Sequence, residues 1–276
     1  MIHNALTMWH GLCNEVVGRV GWGAGGAAGE RHMENAQLVG LSRQLVLRRE
    51  LDLIANNVAN VDTNGFKAQT LLSKEEILRP AADLDFRRAD RPISFVLDDA
   101  NRYDLGAGRM MQTGNDLDVA VEGKGWFVVQ TAGGERYTRN GSFALSPDGT
   151  LVTRDGNPVL TDGGPLVLQS NEGRPTIAAD GTISTSQGVR GKLRVVEFAD
   201  AGSLKKVGET LFEGSNPQPA ATPRLMQGQL EKSNVRAVAE ISRLIEVGRS
   251  YEQVSSWMSK TDEMRRDAIE KLAQVA

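Results

Sequence analysis

Cysteine and histidine are scarce in this chain, and all of them lie within its first 32 residues. The cysteine is Cys13, and the three histidines are His3, His10 and His32. Residues 33–276 therefore offer no Ser–His or Cys–His nucleophile and no zinc site of the Cys/His type. With one cysteine there is no disulfide, so cysteine pairing gives no information on the redox compartment.

Aromatic residues are also few, at 5% of the chain. The carboxylate cluster that invites a catalytic interpretation is Asp116, Asp118 and Glu122. A glycosidase needs one carboxyl in an apolar pocket and an aromatic-lined cleft, whereas aspartates two residues apart more often form a solvated strand face or a turn. We therefore expect no catalytic residue, no cofactor and no metal. A carboxylate-using hydrolase is kept as the less favoured alternative.

Two further absences concern the partners of the chain. The formal net charge is −3, which provides no electrostatic attraction for nucleic acid. No run of 18 apolar residues occurs, so no transmembrane helix is predicted. We expect neither nucleic-acid binding nor membrane insertion.

The first 32 residues differ in composition from the rest. Gly21, Gly23 and Gly26 match the spacing G-x-G-x-x-G, but more Gly and Ala follow. A dinucleotide site needs a strand before this pattern and a helix opening within it, so a flexible linker is the better interpretation. A signal peptide fits poorly because no basic segment precedes a continuous apolar core. We expect residues 1–32 to be a disordered leader or the product of a start codon assigned too early.

From Met33 onward the chain predicts a helix, over about 35–61. Its apolar residues recur at spacings of 4, 3, 4 and 3 and are Leu47, Leu51, Ile54, Val58 and Val61. Such spacing is typical of an amphipathic helix. Residues 33–65 are thus expected to form the N-terminal helix of a terminal helical domain. Asn64 and Gly65 supply its stop signal, because glycine readily takes the left-handed conformation of a helix C-cap.

Short amides crowd the other face of this predicted helix. They include Asn56, Asn57 and Asn60. Asparagine competes with the helical backbone for hydrogen bonds and favours caps and turns. From the residues alone, capping near an exposed helix end is the simpler explanation.

The middle of the chain has the pattern of β structure. Residues 66–112 predict an extended connection, irregular from about residue 73 because of its mixed charge and of Pro80 and Pro92. Residues 113–232 predict a β domain of short strands, and Asn-Gly or Asp-Gly pairs mark its hairpin turns. These pairs stand at 140–141, 148–149, 155–156, 162–163 and 180–181. Regular short strands of this kind indicate a sandwich or a barrel-like domain.

Residues 233–276 predict a second long helix, over about 235–272. Its apolar stripe has spacings of 3, 4, 3 and 4 and consists of Leu244, Val247, Tyr251, Val254 and Met258. Long helices at both ends of a β-rich middle suggest that the two ends pair. We therefore expect an α+β fold: a coiled-coil-like domain of the N- and C-terminal helices, with an all-β, hairpin-rich middle domain.

Four segments resemble the motifs of the bacterial flagellar rod and hook family, in the order of that family. They are LVGLSRQLVLRRELDLIANNVANVDTNGFKA (38–68), TGNDLDVAVEGKGWFVV (113–129), YTRNGSFALSPDGTLVTRDGNPVL (137–160) and QGQLEKSNV (227–235). Within the family, the length from Met33 and the start MENAQLVGLSRQ are most similar to a proximal rod protein. The distal rod protein is the close alternative.

The resemblance implies a structural subunit that assembles with itself and other rod proteins into a helical tube carrying torque from motor to hook. In such a tube the terminal helices line the inside, and Asn56, Asn57 and Asn60 bond to neighbouring chains without a charge to desolvate. The resemblance also implies passage through the flagellar export apparatus without a cleaved signal peptide, and a place in the periplasm-spanning basal-body rod. A secreted oligomeric adhesin or ligand-binding module is the alternative from another class.

Overall fold

Two long helices enclose a β-rich middle in the computed structural model, which describes residues 27–78, 93–169 and 171–275. Helix α1 spans Ala27–Ala59 and helix α2 spans Ala237–Val275. Most of the predicted leader lies outside the described residues, and α1 begins at Ala27, upstream of the predicted start at residue 35. Neither helix is long and apolar enough over the described residues to cross a membrane.

The end of α1 is set by Asn60 and not by the predicted stop at Asn64 and Gly65. The Asn60 side chain donates to the carbonyl of Asn56 at 2.9 Å and accepts from the Thr63 hydroxyl at 3.0 Å. These bonds turn the chain at Ala59, because a short amide satisfies backbone groups that a further helical turn would otherwise use. Gly65 does have a left-handed φ of +70°, but it lies beyond the helix, in a turn that contacts the β domain.

A two-stranded antiparallel ribbon follows, where an irregular connection was expected. Its strands are β1 (Gln69–Leu78) and β2 (Ile93–Tyr103), paired from Gln69↔Tyr103 to Leu78↔Ile93 with one register shift at Leu72/Ser73. The expectation of irregularity was wrong for these residues. Pro80 and Pro92, on which it rested, lie outside the described residues, and the ladder pairs residues 69–78 with residues 93–103.

The β domain is made of short strands. In chain order the first are β3 (Met110–Gln112), β4 (Val119–Glu122), β5 (Trp126–Thr131), β6 (Gly134–Thr138), β7 (Phe143–Leu145), β8 (Leu151–Thr153), β9 (Leu160–Thr161), β10 (Gly164–Pro165) and β11 (Thr176–Ile177). They are followed by β12 (Thr182–Thr185), β13 (Gly188–Lys192), β14 (Val195–Glu197), β15 (Lys205–Lys206), β16 (Leu211–Glu213), β17 (Gln218–Pro219), β18 (Arg224–Gln227) and β19 (Gln229–Glu231). The pairings of these strands are antiparallel, which confirms the prediction of a β-rich middle between two helices.

Strand β5 lies inside the largest sheet, whose strand order is β15-β16-β6-β5-β14-β17. Trp126 and Val128 face one buried cluster, whereas Phe127 and Val129 face another. Successive side chains of a strand point to opposite faces, so β5 is buried on both. This double burial explains why GWFVVQ is almost continuously apolar.

The predicted hairpin turns are mostly present. Left-handed glycines occur at Gly149, Gly156 and Gly181, while the turn at 162–163 uses Gly164. Gly141 is the exception, because its φ is not left-handed. A Cβ at that position would lie 1.7 Å from the carbonyl oxygen of Val119. Glycine is therefore needed there for close backbone approach rather than for a turn.

We predict that Gly65→Ala lowers the free energy of unfolding by more than about 2 kcal/mol, because left-handed strain adds to a backbone clash. A Cβ at Gly65 would lie 2.4 Å from the amide nitrogen of Asn140. Gly156 has a similar φ of +81° but open space around its Cβ position, so Gly156→Ala is the matched control for strain alone. Urea unfolding followed by circular dichroism gives both values, and equal losses would contradict the clash.

Candidate assembly site at the paired helices

The two helices pack antiparallel along an apolar seam. Leu47, Ile54 and Val247 are its buried residues, and Leu51, Val58, Leu244, Tyr251 and Val254 pack against them. We call these eight residues the seam. All eight were predicted from the 4-3 spacing. Two predicted members fall outside it: Val61 lies beyond the end of α1, and Met258 packs instead beside Gly40, where a Cβ would lie 3.2 Å from its sulfur.

Polar side-chain pairs connect the two helices on the flanks of the seam. Arg243 donates from Nη2 to Glu50 Oε1 at 2.7 Å, across the two helices. Nearer the β domain, Asn57 Nδ2 donates to Glu240 Oε2 at 3.0 Å. These contacts fix the register of the helices, because each forms only when its two residues lie at the same level along the helix axes.

The asparagines are placed differently from the prediction that all three face neighbouring chains. Asn57 is 1% exposed; its amide donates to the Gln69 carbonyl at 2.8 Å and accepts from the Gln69 amide at 2.9 Å. Asn60 is also buried and bonds to Asn56 and Thr63. The prediction is therefore wrong for Asn57, whose amide closes α1 onto strand β1 of its own chain. Asn56 has an exposed side chain.

A cluster of buried charges lies where the helices meet the β domain. Lys67, Arg139 and Glu231, which we call the junction, have side chains that are almost inaccessible to solvent. Lys67 Nζ donates to Glu231 Oε1 at 2.6 Å, and the Gly108 amide donates to the same oxygen at 2.9 Å. Arg139 Nη1 lies 3.5 Å from Glu231 Oε2. One carboxylate thus faces two cations, and its burial is tolerable only with such partners.

Burial shifts the protonation equilibria of the two cations. It lowers the pKa of Lys67, and the attraction of Glu231 opposes that shift. Burial likewise lowers the pKa of Arg139, again opposed by Glu231. Arg139 also donates to the Gly123 carbonyl at 2.6 Å and lies 5.1 Å from the centre of the Trp126 ring. The carboxylate therefore favours the charged form of both cations and opposes the effect of burial on each pKa.

Asn234 completes the link between the chain segments. Its Oδ1 accepts from the Ala68 amide at 2.8 Å, and its Nδ2 donates to the Asp104 carbonyl at 2.8 Å. Sequence analysis did not identify these junction residues. Each lies inside a quoted motif, Lys67 in NGFKA, Arg139 in YTRNG, and Glu231 with Asn234 in QLEKSN. The available signal was weak: Lys67 stands between Phe66 and Ala68, whereas Arg139 and Glu231 each have at least one polar neighbour.

The carboxylates considered for catalysis have structural surroundings. Asp118 is buried and accepts from the Thr113 hydroxyl at 2.7 Å and from the Asn115 amide at 3.2 Å. Asp116 pairs loosely with Arg174 at 3.6 Å, and Glu122 is exposed. Asp118 thus shapes the turn before β4. Over the ranges that the structure describes, no group of three potential metal ligands comes together.

A groove separates α1 from the β domain beside the ribbon. Asn56, Gln69, Tyr103 and Lys206 are among its lining residues. Lys206 Nζ lies 3.9 Å from the centre of the Phe66 ring, and burial lowers the pKa of Lys206 to about 8. This cation–π interaction is a second contact between the segment after α1 and the β domain.

Three protein families match the chain in the order helix, β domain, helix. Residues 38–67 match the flagella basal body rod protein family, and residues 120–185 match the flagellar hook protein FlgE/F/G D1 domain. Residues 226–271 match the flagellar basal body rod FlgEFG protein C-terminal family. These segments contain the seam residues of both helices, Arg139 and Glu231.

Individual relatives cover nearly the whole chain. It is 42% identical over 247 residues to the flagellar basal-body rod protein FlgF of Caulobacter vibrioides, across 88% of this chain and 100% of that protein. It is 31% identical to FlgF of Mesorhizobium japonicum, across 87% of this chain and 98% of that protein. It is 30% identical to the flagellar basal-body rod protein FlgG of Bacillus subtilis, across 83% of this chain and 96% of that protein.

We predict that Glu231→Gln lowers the free energy of unfolding by about 3–5 kcal/mol, because it leaves Lys67 and Arg139 buried without a counter-charge. Glu135→Gln is the matched control, since Glu135 pairs with Arg194 at 2.8 Å but both side chains are about a third exposed, at 38% and 35%. That control should cost less than about 1 kcal/mol. Similar losses for both variants in denaturant unfolding at neutral pH would refute a special role for the junction.

Proposed function

The chain belongs to the flagellar basal-body rod protein family, and from that premise we propose how its parts serve the rod. It is a structural subunit of the rod in the bacterial flagellum, and its family is a structural one rather than an enzyme family. The observation that carries this conclusion is the 42% identity to FlgF across all of that relative. Assembly with other rod proteins follows from the family.

Within the rod, we assign the chain to the FlgF type, a proximal position. Support comes from the higher identity to a FlgF relative, 42%, than to a FlgG relative, 30%. The start MENAQLVGLSRQ at residue 33 agrees with this assignment. The distal, FlgG-type position is the competing one.

The subunits join head to tail and build a helical tube. A contact between two different patches of the same molecule does not close on itself, so it extends into a filament rather than a dimer. The terminal helices, paired as a coiled coil along the seam, form the inner wall, and the β domain forms the outer one. The 4-3 spacing of Leu47, Leu51, Ile54 and Val58 supports such pairing.

Torque passes from helix to β domain through the junction. Lys67 and Glu231 lie immediately inside the two helices along the chain, and Arg139 belongs to the β domain. Ion pairs at fixed geometry, of which Lys67 to Glu231 is a charge-assisted hydrogen bond, resist displacement better than an apolar contact, which has no preferred direction. A rod subunit needs such a rigid connection, because the helices and the β domain must turn together.

The chain reaches the periplasm-spanning rod through the flagellar export apparatus. Support comes from its membership of the flagellar basal-body rod protein family.

Deleting the gene and restoring it on a plasmid tests the proposed function. The deletion should abolish swimming, and mass spectrometry of basal bodies purified from the restored strain should recover peptides of residues 33–276. Swimming without the gene, or basal bodies free of these peptides, would disprove a role in the rod.

We predict that Ile54→Asp abolishes swimming, because it places an unpaired carboxylate at a seam position that is 2% exposed. A buried, unpaired charge costs several kcal/mol even after relaxation. The β domain should keep its calorimetric transition, since distant sites behave independently. Val254→Asp on the opposite helix should act in the same way.

Val189→Asp is the matched control, because Val189 is 71% exposed on the β domain. It introduces the same charge without burying it and should leave swimming intact. Normal swimming with Ile54→Asp would show that the seam does not hold the assembly together.

A further inference from the structure

The groove between α1 and the β domain has three walls, and each wall presents polar side chains. Helix α1 contributes Arg49, Asp52, Leu53 and Asn56. Residues spaced in this way lie on one face of a helix, so all four point to the groove. Residues 206–209 of the β domain form a second wall. The groove has a volume of about 440 Å³, which is within the range of roughly 300–1,000 Å³ for small-molecule sites.

The ribbon forms the third wall with Gln69, Asn101 and Tyr103. Gln69 and Tyr103 are directly opposite each other in the β1–β2 ladder, so their side chains share one face of the ribbon. Asn101 lies two residues before Tyr103 on the same strand and therefore points to that face as well. The register of the ribbon thus brings the three side chains together.

Gln69 is held in place with its side chain unused. Its backbone amide and carbonyl are both bonded to the side chain of Asn57, at 2.9 Å and 2.8 Å. The residue is 9% exposed, yet its side-chain amide has no hydrogen-bond partner in the described part of the chain. A buried amide without a partner is unfavourable, and the groove is the surface that this side chain lines.

The neighbouring polar groups of the groove are likewise unused. Among the residues that the structure describes, none bonds to the side-chain amides of Asn56 and Asn101 or to the hydroxyl of Tyr103. The amides of Asn57 and Asn234, outside the groove, each bond to at least two backbone groups. Unpaired amides are therefore a feature of the groove and not of the asparagines in general.

Lys206 adds a donor from the β domain. Its Nζ lies over the ring of Phe66 at 3.9 Å, and within the described ranges it forms no ion pair. Contact with a ring face leaves the N–H groups of the ammonium available, because the ring accepts none of them as a carboxylate would. The groove thus combines amides that both donate and accept with an ammonium that donates.

The charges of the lining exclude a strongly charged ligand. Arg49 and Lys206 are positive, whereas Asp52 and Glu209 are negative, so neither sign is in excess. A phosphate-rich ligand would meet two carboxylates, and a polycation would meet two cations. An uncharged ligand meets neither obstacle.

The lining also argues against an apolar ligand and against a peptide. Leu53 and Val207 are the aliphatic side chains among the described lining residues, and Tyr103 is the aromatic one. Peptides dock on free strand edges, in apolar grooves or on several aromatic rings. The edge of β1 at Gln69 is already occupied by Asn57. Saccharide hydroxyls, in contrast, both donate and accept, as side-chain amides do.

We propose that this groove binds an uncharged saccharide chain, with Gln69 and Asn101 as its main hydrogen-bonding residues. Asn56 and Lys206 bond to it from the other two walls. This binding activity goes beyond the structural role in the rod and does not depend on it.

Isothermal titration calorimetry of the purified full chain tests the proposal, with chitotetraose and maltotetraose as the two probes. We expect a dissociation constant below about 1 mM for at least one of them. Gln69→Ala and Asn101→Ala should each weaken binding by about tenfold, the loss of one hydrogen bond. Neither change removes a hydrogen bond within the subunit, so the thermal transition should stay in place. Absence of binding by both saccharides would overturn the proposal.

Gln218→Ala is the matched control, because Gln218 is an exposed amide on strand β17 and does not line the groove. It should keep the full affinity. An equal loss in this control, or full affinity in both groove variants, would place the saccharide elsewhere and refute the groove as its site. Tighter binding of an uncharged tetrapeptide in the groove would assign the site to peptides instead. None of these results bears on the rod function, which the basal-body experiment tests separately.

Nuclear magnetic resonance of the side-chain amides gives a second measurement. In the ¹⁵N-labelled chain, the saccharide should shift the side-chain NH₂ signals of Gln69 and Asn101 and leave that of Gln218 in place. Unchanged signals of both groove amides at saturating saccharide would contradict the proposal, even if calorimetry detected binding.

Discussion

The buried pairing of Glu231 with Lys67 and Arg139 is the interaction on which the rest of the structure depends. The three residues come from the segment after α1, from the β domain and from the last strand before α2. Removing Glu231 would leave two cations in a place without water, so the three segments are held together through this one carboxylate. The antiparallel pairing of α1 and α2 is possible because the junction brings the base of both helices to one point.

The apolar seam stabilises the pairing of the helices, and the polar contacts on its flanks determine their register. Apolar contact among the seam residues supplies a driving force but tolerates sliding by one helical turn. The bonds from Asn57 to Gln69 and Glu240, and from Arg243 to Glu50, do not tolerate it. The register of the helix pair is therefore set by these polar contacts.

Periodicity predicted more of this structure than residue type did. The 4-3 spacing identified eight seam residues, because burial along a helix follows a simple geometric rule. Asn57 was misassigned because an amide satisfies a strand of its own chain as well as a neighbour, and the sequence does not distinguish these partners. The ribbon was missed because Pro80 and Pro92 were taken to act within the segment rather than at its borders. The junction was missed because its residues meet only through contacts distant in sequence, as Lys67 and Glu231 do.

The exposed apolar residues of α1 and α2 follow from the same helical geometry that makes the seam. A helix of the length of α1 or α2 has more surface than one partner can cover, since pairing with a single helix buries only one stripe of each. Polar residues occupy part of the remaining face of α1, where Asp52 and Asn56 line the groove. Exposed apolar residues occupy it at Leu38, Leu41 and Leu45 on α1 and at Val238, Ile241 and Ile245 on α2.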